Sequence, residues 1–536
     1  MSRFPSDDQE DRLVPIASRR RTQSSQALPN DSRPTIRIAA GEIERIVNEA
    51  EFALINAKRG LYQQSNKIVS VVETPVKAAH GQEVIALGIL ERGDHTSSED
   101  LSVAANFERF DKRCNDWVAA DPPIIVVKTL KQRSGRLNFP ILSGIVSAPT
   151  MRDDGSILSA PGYDDRTGLL FEPRGVRFPA IPDQPTHADA ENALVSLCHL
   201  VRDFRFEEPY DKAVALSTIL TACVRRSLPT APMHIFDAPE AGSGKSKLVN
   251  VASVIALGHE APTMSQGADE CETEKRLGSM LLAGRQIVAI DNVVLPLEGA
   301  KLCEMLTSKI VSIRILGASQ MPEAPTSAFL TATGNNIVVK GDLVRRTVRC
   351  RIDPNLERPE ERVFDFDPVK EAKARRGELV AVALTILRAH YVAGQPCKPA
   401  QLGSFEEWPD RVRGALLWLG AADPVDSMVG LRKADPARQD LHAVISQWRD
   451  VISDERVTTS DIIGKATEMR GGRFGDDTLA YPEFRNALFA VGGRGGMLDA
   501  KVLGKWLIAQ QNRIVDGASF VKVGTRKDVA VWALRT

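Results

Sequence analysis

A glycine-rich segment between an apolar run and a helix-forming run has the residue types to hold phosphate groups. The apolar residues Met233–Phe236 lead into APEAGSGKSK, whose candidate phosphate-binding residues are Ala241, Gly242, Ser243, Gly244, Lys245, Ser246 and Lys247. The glycines let the backbone curl so that successive N–H groups point at phosphate oxygens, and the following helix N-terminus adds its dipole. Lys245 supplies positive charge to the β- and γ-phosphates, and the Ser246 hydroxyl is a ligand for Mg²⁺. The spacing predicts a loop that binds the phosphates of ATP together with Mg²⁺.

One position departs from the usual spelling of this loop, G-x-x-x-x-G-K-S. Pro239 stands where the first glycine is expected, and a proline fixes φ and removes a donor N–H. This position mainly turns the chain and need not donate to a phosphate, so we expect the loop to function.

A second segment predicts the carboxylate that completes the magnesium site. Arg285–Asn292 reads as a buried strand ending in Asp291, which lies 46 residues after Lys245. Nucleotide-hydrolysing enzymes with this loop place there the strand whose Asp holds the Mg²⁺ water shell. Asp291 is therefore a candidate catalytic and metal-binding residue.

The residue after Asp291 is an amide, Asn292, where many such enzymes have a glutamate that polarises the attacking water. An amide cannot accept that proton, so either Asn292 positions the water and another acid is the base, or hydrolysis is slow. Glu272, Glu274 and Glu298 are the candidate bases.

A third predicted strand, 327–333, is followed by Gly334-Asn335-Asn336 and then by GDLVRR. An amide at this strand tip is where a γ-phosphate sensor is expected, and Asn336 is the candidate. Arginine can neutralise phosphoryl oxygens from a neighbouring subunit. Arg346 or Arg345 is the candidate for such a finger, and Arg314 is a third.

These residues require a strand–loop–helix core, and the chain around it divides into six predicted parts. They are a disordered tail at 1–35, an α+β module at 36–175, a linker and helix at 176–205, a P-loop α/β domain at 206–395, a helical segment at 396–477 and a winged-helix-like domain at 478–536. Helices are predicted at 43–55, 189–206 and 210–228, and strands at 67–73, 84–90 and 123–130.

The C-terminal part has the pattern of a winged helix. Two helices, at 481–493 and 498–511, precede a predicted β-hairpin with its turn at Gly524-Thr525, and residues 465–536 hold 12 Lys+Arg against 7 Asp+Glu. The candidate DNA contacts are Lys501 and Lys505 on one helical face and Lys522, Arg526 and Lys527 around the hairpin tip. Winged helices also bind proteins, so a protein partner stays open. Trp506 and Trp532 are predicted to lie in the core.

Composition limits the class of protein. The 536 residues include 69 Lys+Arg and 69 Asp+Glu, so the chain is no bulk polycation and must contact nucleic acid through local basic patches. Aromatic residues at 5% disfavour a base-stacking platform. The seven cysteines form no C-x-x-C pair, which disfavours a zinc ribbon or a disulfide framework and fits a reducing compartment. No apolar run reaches membrane-spanning length and no signal peptide is evident, so we expect a cytoplasmic protein with no membrane partner.

In this order, APEAGSGKS, IVAIDN, FLTATGNN and GDLVRR resemble the AAA+-like, superfamily 3-type helicase domain of primase-helicase proteins from phages, plasmids and integrative elements. FPILSGIVSAP and PGYDDRTGL look like the segment upstream of that domain, and GSFEEWPDRVRGALLWLGAADPV looks like its downstream helices. The resemblance implies ATP and Mg²⁺ as cofactors, Asn336 as the sensor and Arg346 as the finger. It also implies DNA as a partner, assembly into a ring such as a hexamer, and a separate primase or initiator. Because no constellation of paired aspartates and histidine marks a primer-synthesising site, the chain corresponds to the helicase half.

Three functions follow as hypotheses. The first is an ATP-dependent DNA helicase or translocase for replication of a mobile element, with ATP hydrolysed between subunits. The second is a nucleotide-gated DNA-binding initiator or loader that hydrolyses slowly and unwinds nothing. The third is a defence-type or protein-remodelling AAA+ ATPase.

Overall fold

The computed structural model describes residues 32–77, 83–133, 135–314, 321–361, 366–470 and 478–536. Most of the predicted tail at 1–35 therefore lies outside the described residues. The chain divides into two compact units, one from its start to Arg59 together with Gly93–Gln132, the other of Gly60–Arg92 and Arg133–Thr536. Residues of the predicted module at 36–175 thus occur in both units.

The elements of the first third of the chain are short. In order they are β1 Thr35–Ile38, α1 Ile43–Asn56, β2 Leu61–Gln64, β3 Lys67–Lys77, β4 Glu83–Glu91, α2 Asp94–Ala104, β5 Asn106–Asp111, β6 Asp116–Ala120, α3 Ile124–Lys131, β7 Gly144–Val146, β8 Thr150–Met151, β9 Ile157–Leu158, β10 Gly162–Asp164 and β11 Leu169–Phe171. In the first unit, β1 pairs in parallel with β5, which pairs antiparallel with β6. In the second unit, β2, β3 and β4 form an antiparallel sheet, and β7, β11 and β10 form another three-stranded sheet.

One predicted strand is wrong, because residues 123–130 form helix α3. Pro123 directly precedes the helix, and Val126, Val127 and Leu130 are its buried residues. Their spacing places them on one helical face towards the core of the first unit, so tertiary packing outweighs the preference of the β-branched run for a strand.

A five-stranded parallel sheet forms the middle of the second unit. Its region contains α4 His187–Leu200, α5 Pro209–Val224, β12 Met233–Ala238, α6 Lys245–Leu257, β13 Thr263–Ser265, α7 Glu270–Leu282, β14 Ile287–Val293, α8 Ala300–Thr307, β15 Ile310–Ser312, β16 Glu323–Pro325, β17 Phe329–Asn335, β18 Thr347–Arg351, α9 Pro368–Ala374 and α10 Arg376–Val392, with a 3₁₀ turn at Gly341–Arg346. The strand order is β13-β14-β17-β12-β18, and every pairing is parallel. All six residues of β12 are buried, as expected for a strand covered on both faces. The predicted mixed α/β core is confirmed.

An arginine from α10 fixes the C-terminal end of α6. Arg376 is 6% exposed, and its guanidinium donates to the carbonyl oxygens of Ile255 (3.1 Å), Ala256 (3.1 Å) and Ser147 (2.9 Å). Gly258 ends the helix in the left-handed conformation at φ 86°. The bonds to Ile255 and Ala256 pair carbonyls that the helix leaves unsatisfied, and together with the bond to Ser147 they hold the helix that follows the glycine-rich loop.

The last part of the chain, from Leu441 onward, has its own hydrophobic core, whereas the helices at 409–431 pack into the core of the parallel-sheet region. A π-helical turn at Pro409–Arg413 precedes α11 Gly414–Trp418, α12 Ser427–Ala434, α13 Pro436–Val451, β19 Val457–Thr458, α14 Thr459–Ala466, β20 Met469–Arg470, β21 Thr478–Leu479, α15 Pro482–Gly492, β22 Gly493–Arg494, β23 Met497–Leu498, α16 Ala500–Gln510, β24 Ser519–Arg526 and β25 Val529–Arg535. Leu441 and Trp448 share this core with Phe484, Leu507 and Trp532. It therefore draws on residues from both sides of the predicted boundary at 478. The winged-helix assignment stays a prediction.

The hairpin of β24 and β25 turns later than predicted. Lys527 and Asp528 form the turn with φ of 50° and 62°, while Gly524 lies inside β24 beside a register shift. Two consecutive residues with positive φ give the backbone twist that a two-residue hairpin loop needs. Trp532 is fully buried, and Trp506 packs on Phe520 with ring centroids 6.1 Å apart, as predicted.

Candidate functional site

The glycine-rich loop lies at the carboxyl edge of the parallel sheet, between the end of β12 and the start of α6. Gly242 and Gly244 have φ of 74° and 93°, which L side chains rarely adopt. A Cβ on Gly244 would also lie 2.9 Å from a ring carbon of Phe204. Position 244 therefore requires glycine both for its backbone conformation and for space.

The Lys245 amine is held inside this loop. It donates to the backbone carbonyl of Glu240 at 2.9 Å and to Oδ1 of Asn335 at 2.6 Å, and the residue is 9% exposed. Burial lowers the pKa of this amine, and the nearby carboxylates of Asp237 and Asp291 oppose that shift. The amine thus faces the end of β17, close to acidic groups, at the mouth of the loop.

Ser246, Asp291 and Thr333 meet beside the lysine. Oδ1 of Asp291 accepts from Oγ of Ser246 at 3.3 Å and from Oγ1 of Thr333 at 2.5 Å. A serine hydroxyl next to a carboxylate is a donor set that Mg²⁺ takes up together with phosphate oxygens and water. Within the described ranges, no group of three or more His, Cys, Asp and Glu side chains could hold a metal ion by itself. Ser246 and Asp291 therefore fit a magnesium ion whose other ligands would be water and the phosphate oxygens of a bound nucleotide.

Asn292 stands at an irregularity of β14, where the pairing with β17 shifts between Ile290 and Val293. Its φ is 53°, its backbone N–H donates to Oγ1 of Thr333 at 3.4 Å, and the residue is exposed. Asparagine tolerates this left-handed conformation better than most residues. The backbone change therefore falls directly after the candidate magnesium ligand.

Two of the three candidate bases have ion-pair partners away from the glycine-rich loop. Glu272 pairs with Arg276 at 3.1 Å, and Glu298 pairs with Lys340 at 3.9 Å. Burial and the neighbouring Glu270 carboxylate raise the pKa of Glu274. Among the described contacts, none of the three glutamates is hydrogen-bonded to Lys245, Ser246 or Asp291, so each stays a prediction.

Of the two adjacent amides, Asn335 is the one that contacts Lys245, and the sequence reasoning missed it. The N–H of Asn336 donates to the carbonyl of Ala238 at 3.2 Å, and its Oδ1 accepts from Arg351 at 3.5 Å. Arg351 also pairs with the buried Asp237 at 3.1 Å. The signal that could have found Asn335 is its place as the last residue of β17. The sensor role of Asn336 remains a prediction.

The candidate finger arginines share one carboxylate. Arg346 pairs with Asp342 at 2.8 Å and is largely buried, while Arg345 binds the same carboxylate from the surface. Arg314 is exposed. Within this chain, the described contacts of these arginines do not include the glycine-rich loop, and a role towards a second subunit stays a prediction.

The candidate DNA contacts all lie at the surface. Lys501 and Lys505 are exposed on α16, and Lys522, Arg526 and Lys527 are exposed along the hairpin. Arg526 has an acidic partner, because it lies 3.4 Å from Asp461.

Of the helices in the described part of the chain, none has the length and apolar character needed to cross a membrane.

No protein-family model matches the chain, and no curated protein matches it. Among solved structures, the A form apo structure of the NrS-1 C-terminal region is 10% identical and covers 83% of this chain and 93% of that chain, with a TM-score of 0.36. A second structure of that region is 10% identical, covers 87% and 96%, and has a TM-score of 0.37. An X-ray structure of JCV helicase is 14% identical, covers 44% and 68%, and has a TM-score of 0.22. Likeness at this level carries no conclusion about the function of this chain.

Proposed function

We propose that this protein is an ATP-dependent DNA helicase or translocase that acts in the replication of a mobile genetic element. The observation that carries the proposal is the meeting of Lys245, Ser246 and Asp291 at the carboxyl edge of a parallel sheet, beyond a loop with two left-handed glycines. In open α/β sheets, ligands bind at this edge. Lys245 would hold the outer phosphates of ATP, and Ser246 and Asp291 would hold Mg²⁺, which neutralises phosphate charge when bound.

The remaining parts of the proposal concern DNA and assembly. The exposed cations of α16 and the β24–β25 hairpin are suited to phosphates of DNA, single-stranded or forked. A ring, such as a hexamer, would bring Arg345 or Arg346 of one subunit to the nucleotide of the next. A separate primase or initiator would act together with the ring.

A second candidate function is a nucleotide-gated initiator or loader, and Asn292 favours it. An amide directly after Asp291, with no glutamate hydrogen-bonded to the site among the described contacts, is suited to slow hydrolysis. A defence-type or remodelling ATPase is the further alternative if DNA is not bound.

Steady-state ATP hydrolysis with and without single-stranded DNA tests the proposal. The wild type is compared with Lys245→Ala and with Lys370→Ala, a control that removes an exposed lysine of α9. We expect DNA-stimulated turnover in the wild type and the control, its loss in Lys245→Ala, and strand displacement on a forked substrate. Stimulation without displacement favours the initiator, failure to bind DNA favours a remodeller, and full turnover in Lys245→Ala refutes the nucleotide site. If turnover per subunit stays constant over concentrations that span assembly, the finger in trans is refuted.

A further inference from the structure

A cavity of about 460 Å³, separate from the glycine-rich loop, is lined by four arginines. Arg345 comes from the 3₁₀ turn Gly341–Arg346, Arg432 from the last turn of α12, Arg438 from the first turn of α13, and Arg513 from the segment after α16. Elements of the parallel-sheet region and of the C-terminal core thus meet around one basic pocket, which we call the arginine pocket.

The two carboxylates of the arginine pocket are already engaged. Asp342 binds Arg345 and Arg346. Asp435 is 5% exposed, and its Oδ1 accepts the backbone N–H of Ala437 at 3.1 Å, capping α13. Among the ion pairs of the described residues, neither carboxylate pairs with Arg432, Arg438 or Arg513.

The remaining cations are available to a ligand. Arg432 and Arg438 are exposed, and among the described residues neither has a side-chain hydrogen bond or an ion pair. Arg513 donates to the neutral Oε1 of Gln510 at 2.8 Å. Like charges gathered in one concavity repel each other, and a bound anion removes that cost.

We propose that the arginine pocket binds phosphate groups, supplied by a strand of nucleic acid or by a nucleotide. Guanidinium groups bind phosphate oxygens through paired N–H donors, which makes arginine the side chain suited to this task. The volume is within the range of small-ligand sites, about 300–1,000 Å³. Because Arg345 lines the pocket and also holds Asp342, a ligand here would act on the turn that carries both candidate finger arginines. Binding of DNA at this place rests on the proposed function, whereas binding of a nucleotide does not.

The test compares the double variant Arg432→Gln/Arg438→Gln with Lys433→Gln. Lys433 lies in the same last turn of α12, is exposed and does not line the pocket. Glutamine keeps much of the side-chain length and removes the charge, and thermal unfolding checks that both variants fold. The first readout is anisotropy of a labelled single-stranded oligonucleotide from 50 to 300 mM salt. The second is the thermal shift that inorganic triphosphate produces in a Lys245→Ala background, where the glycine-rich loop has lost its lysine.

Each phosphate contact contributes about 0.7 to the slope of log affinity against log salt for a single strand. If the pocket holds DNA, losing two contacts lowers the slope by about 1.4 and weakens binding about 25-fold at 0.1 M salt, while Lys433→Gln changes neither by as much. If it holds a nucleotide, the double variant loses the triphosphate shift and keeps the DNA slope. A double variant that matches Lys433→Gln in both readouts overturns the inference. A wild type that binds no oligonucleotide at any salt concentration contradicts the proposed function, and the triphosphate shift then decides on the pocket alone.

Discussion

Replacing Thr333 by valine tests the candidate magnesium site through a residue that, among the described contacts, has no hydrogen bond to Lys245 or Ser246. Thr333 is 3% exposed, and its Oγ1 donates to Oδ1 of Asp291 at 2.5 Å. Valine has nearly the same shape and cannot donate, so the carboxylate loses its shorter hydrogen bond and keeps the 3.3 Å bond from Ser246. We expect Asp291 to be held less firmly for Mg²⁺.

The size of the effect follows from the type of hydrogen bond. A hydrogen bond to a charged group contributes about 1.5–3 kcal/mol. At about 1.4 kcal/mol per factor of ten, Thr333→Val should raise the Mg²⁺ concentration for half-maximal ATP turnover by about 10- to 150-fold. Binding of nucleotide without Mg²⁺ should change much less, because the Lys245 amine bonds to Glu240 and Asn335 instead.

The assay is ATP turnover as a function of Mg²⁺, with Thr331→Val as the matched control. Thr331 lies two residues earlier on β17, is fully buried, and donates a longer bond of 3.4 Å to the carbonyl of Val288. Both variants exchange a buried hydroxyl for a methyl group, so a general effect of that exchange would appear in both. If Thr333→Val has the Mg²⁺ dependence of the wild type, or if Thr331→Val shifts it equally, Asp291 is not the magnesium ligand.

Three further predictions concern stability. First, burial raises the pKa of Asp211 from 3.8 to about 6. The folded state therefore binds the proton more tightly than the unfolded state. This carboxyl contributes stability that is fully present below about pH 4 and is lost as the pH rises through about 6. The loss in the free energy of unfolding is about 3 kcal/mol. Thermal unfolding at pH 4 and pH 7 should show this loss in the wild type and not in Asp211→Asn. Equal pH profiles for the two proteins contradict the prediction. Arg376→Met removes the donor to the carbonyls of Ile255, Ser147 and Ala256, of which Ala256 keeps a bond from Oγ of Ser147. It should lower the free energy of unfolding by on the order of 3 kcal/mol, whereas Arg375→Met, which removes partly exposed ion pairs, should cost under about 1 kcal/mol. Chemical denaturation measures both changes, and equal losses refute the role of the buried arginine. A chain lacking 436–536 should stay soluble and unfold cooperatively. A chain lacking 478–536 exposes the apolar face of α13 and should aggregate. Light scattering measures aggregation, and the opposite result would show that the C-terminal core divides at 478.

The glycine-rich loop could be predicted because everything that defines it is local. A strand, two glycines, a lysine and a helix start follow one another within about 25 residues, so the loop depends on no tertiary contact for its identification. Asp291 was also predictable, because the strand that carries it is a continuous apolar run. The contact of Thr333 with Asp291 was not, since it depends on β14 and β17 being neighbours in the sheet.

The sequence-based predictions are wrong at positions where residue type and tertiary context favour different structures. The run at 124–131 has the β-branched residues of a strand, yet a helix buries Val126 and Val127 better. Glycine is the usual sign of positive φ and so predicts the hairpin turn at Gly524, whereas Lys527 and Asp528 are the residues that adopt positive φ. Asn335 and Asn336 differ by one position, and only the end of β17 distinguishes which amide reaches the lysine.

The division of the chain into two units has a consequence for the order of synthesis. The first unit needs residues before Arg59 and residues of Gly93–Gln132, because β1 pairs with β5 and Thr35 lies opposite Asn106. The intervening strands β2, β3 and β4 belong to the other unit. As the polypeptide leaves the ribosome, about 70 further residues must be made after β1 before its partner strand β5 exists. Strands β3 and β4 emerge before residues 133–536, which form the rest of their unit. Translation speed over residues 60–132 thus sets how long the incomplete first unit exposes apolar surface to chaperones and to other nascent chains, whereas the second unit stays incomplete until the residues after Arg133 are made.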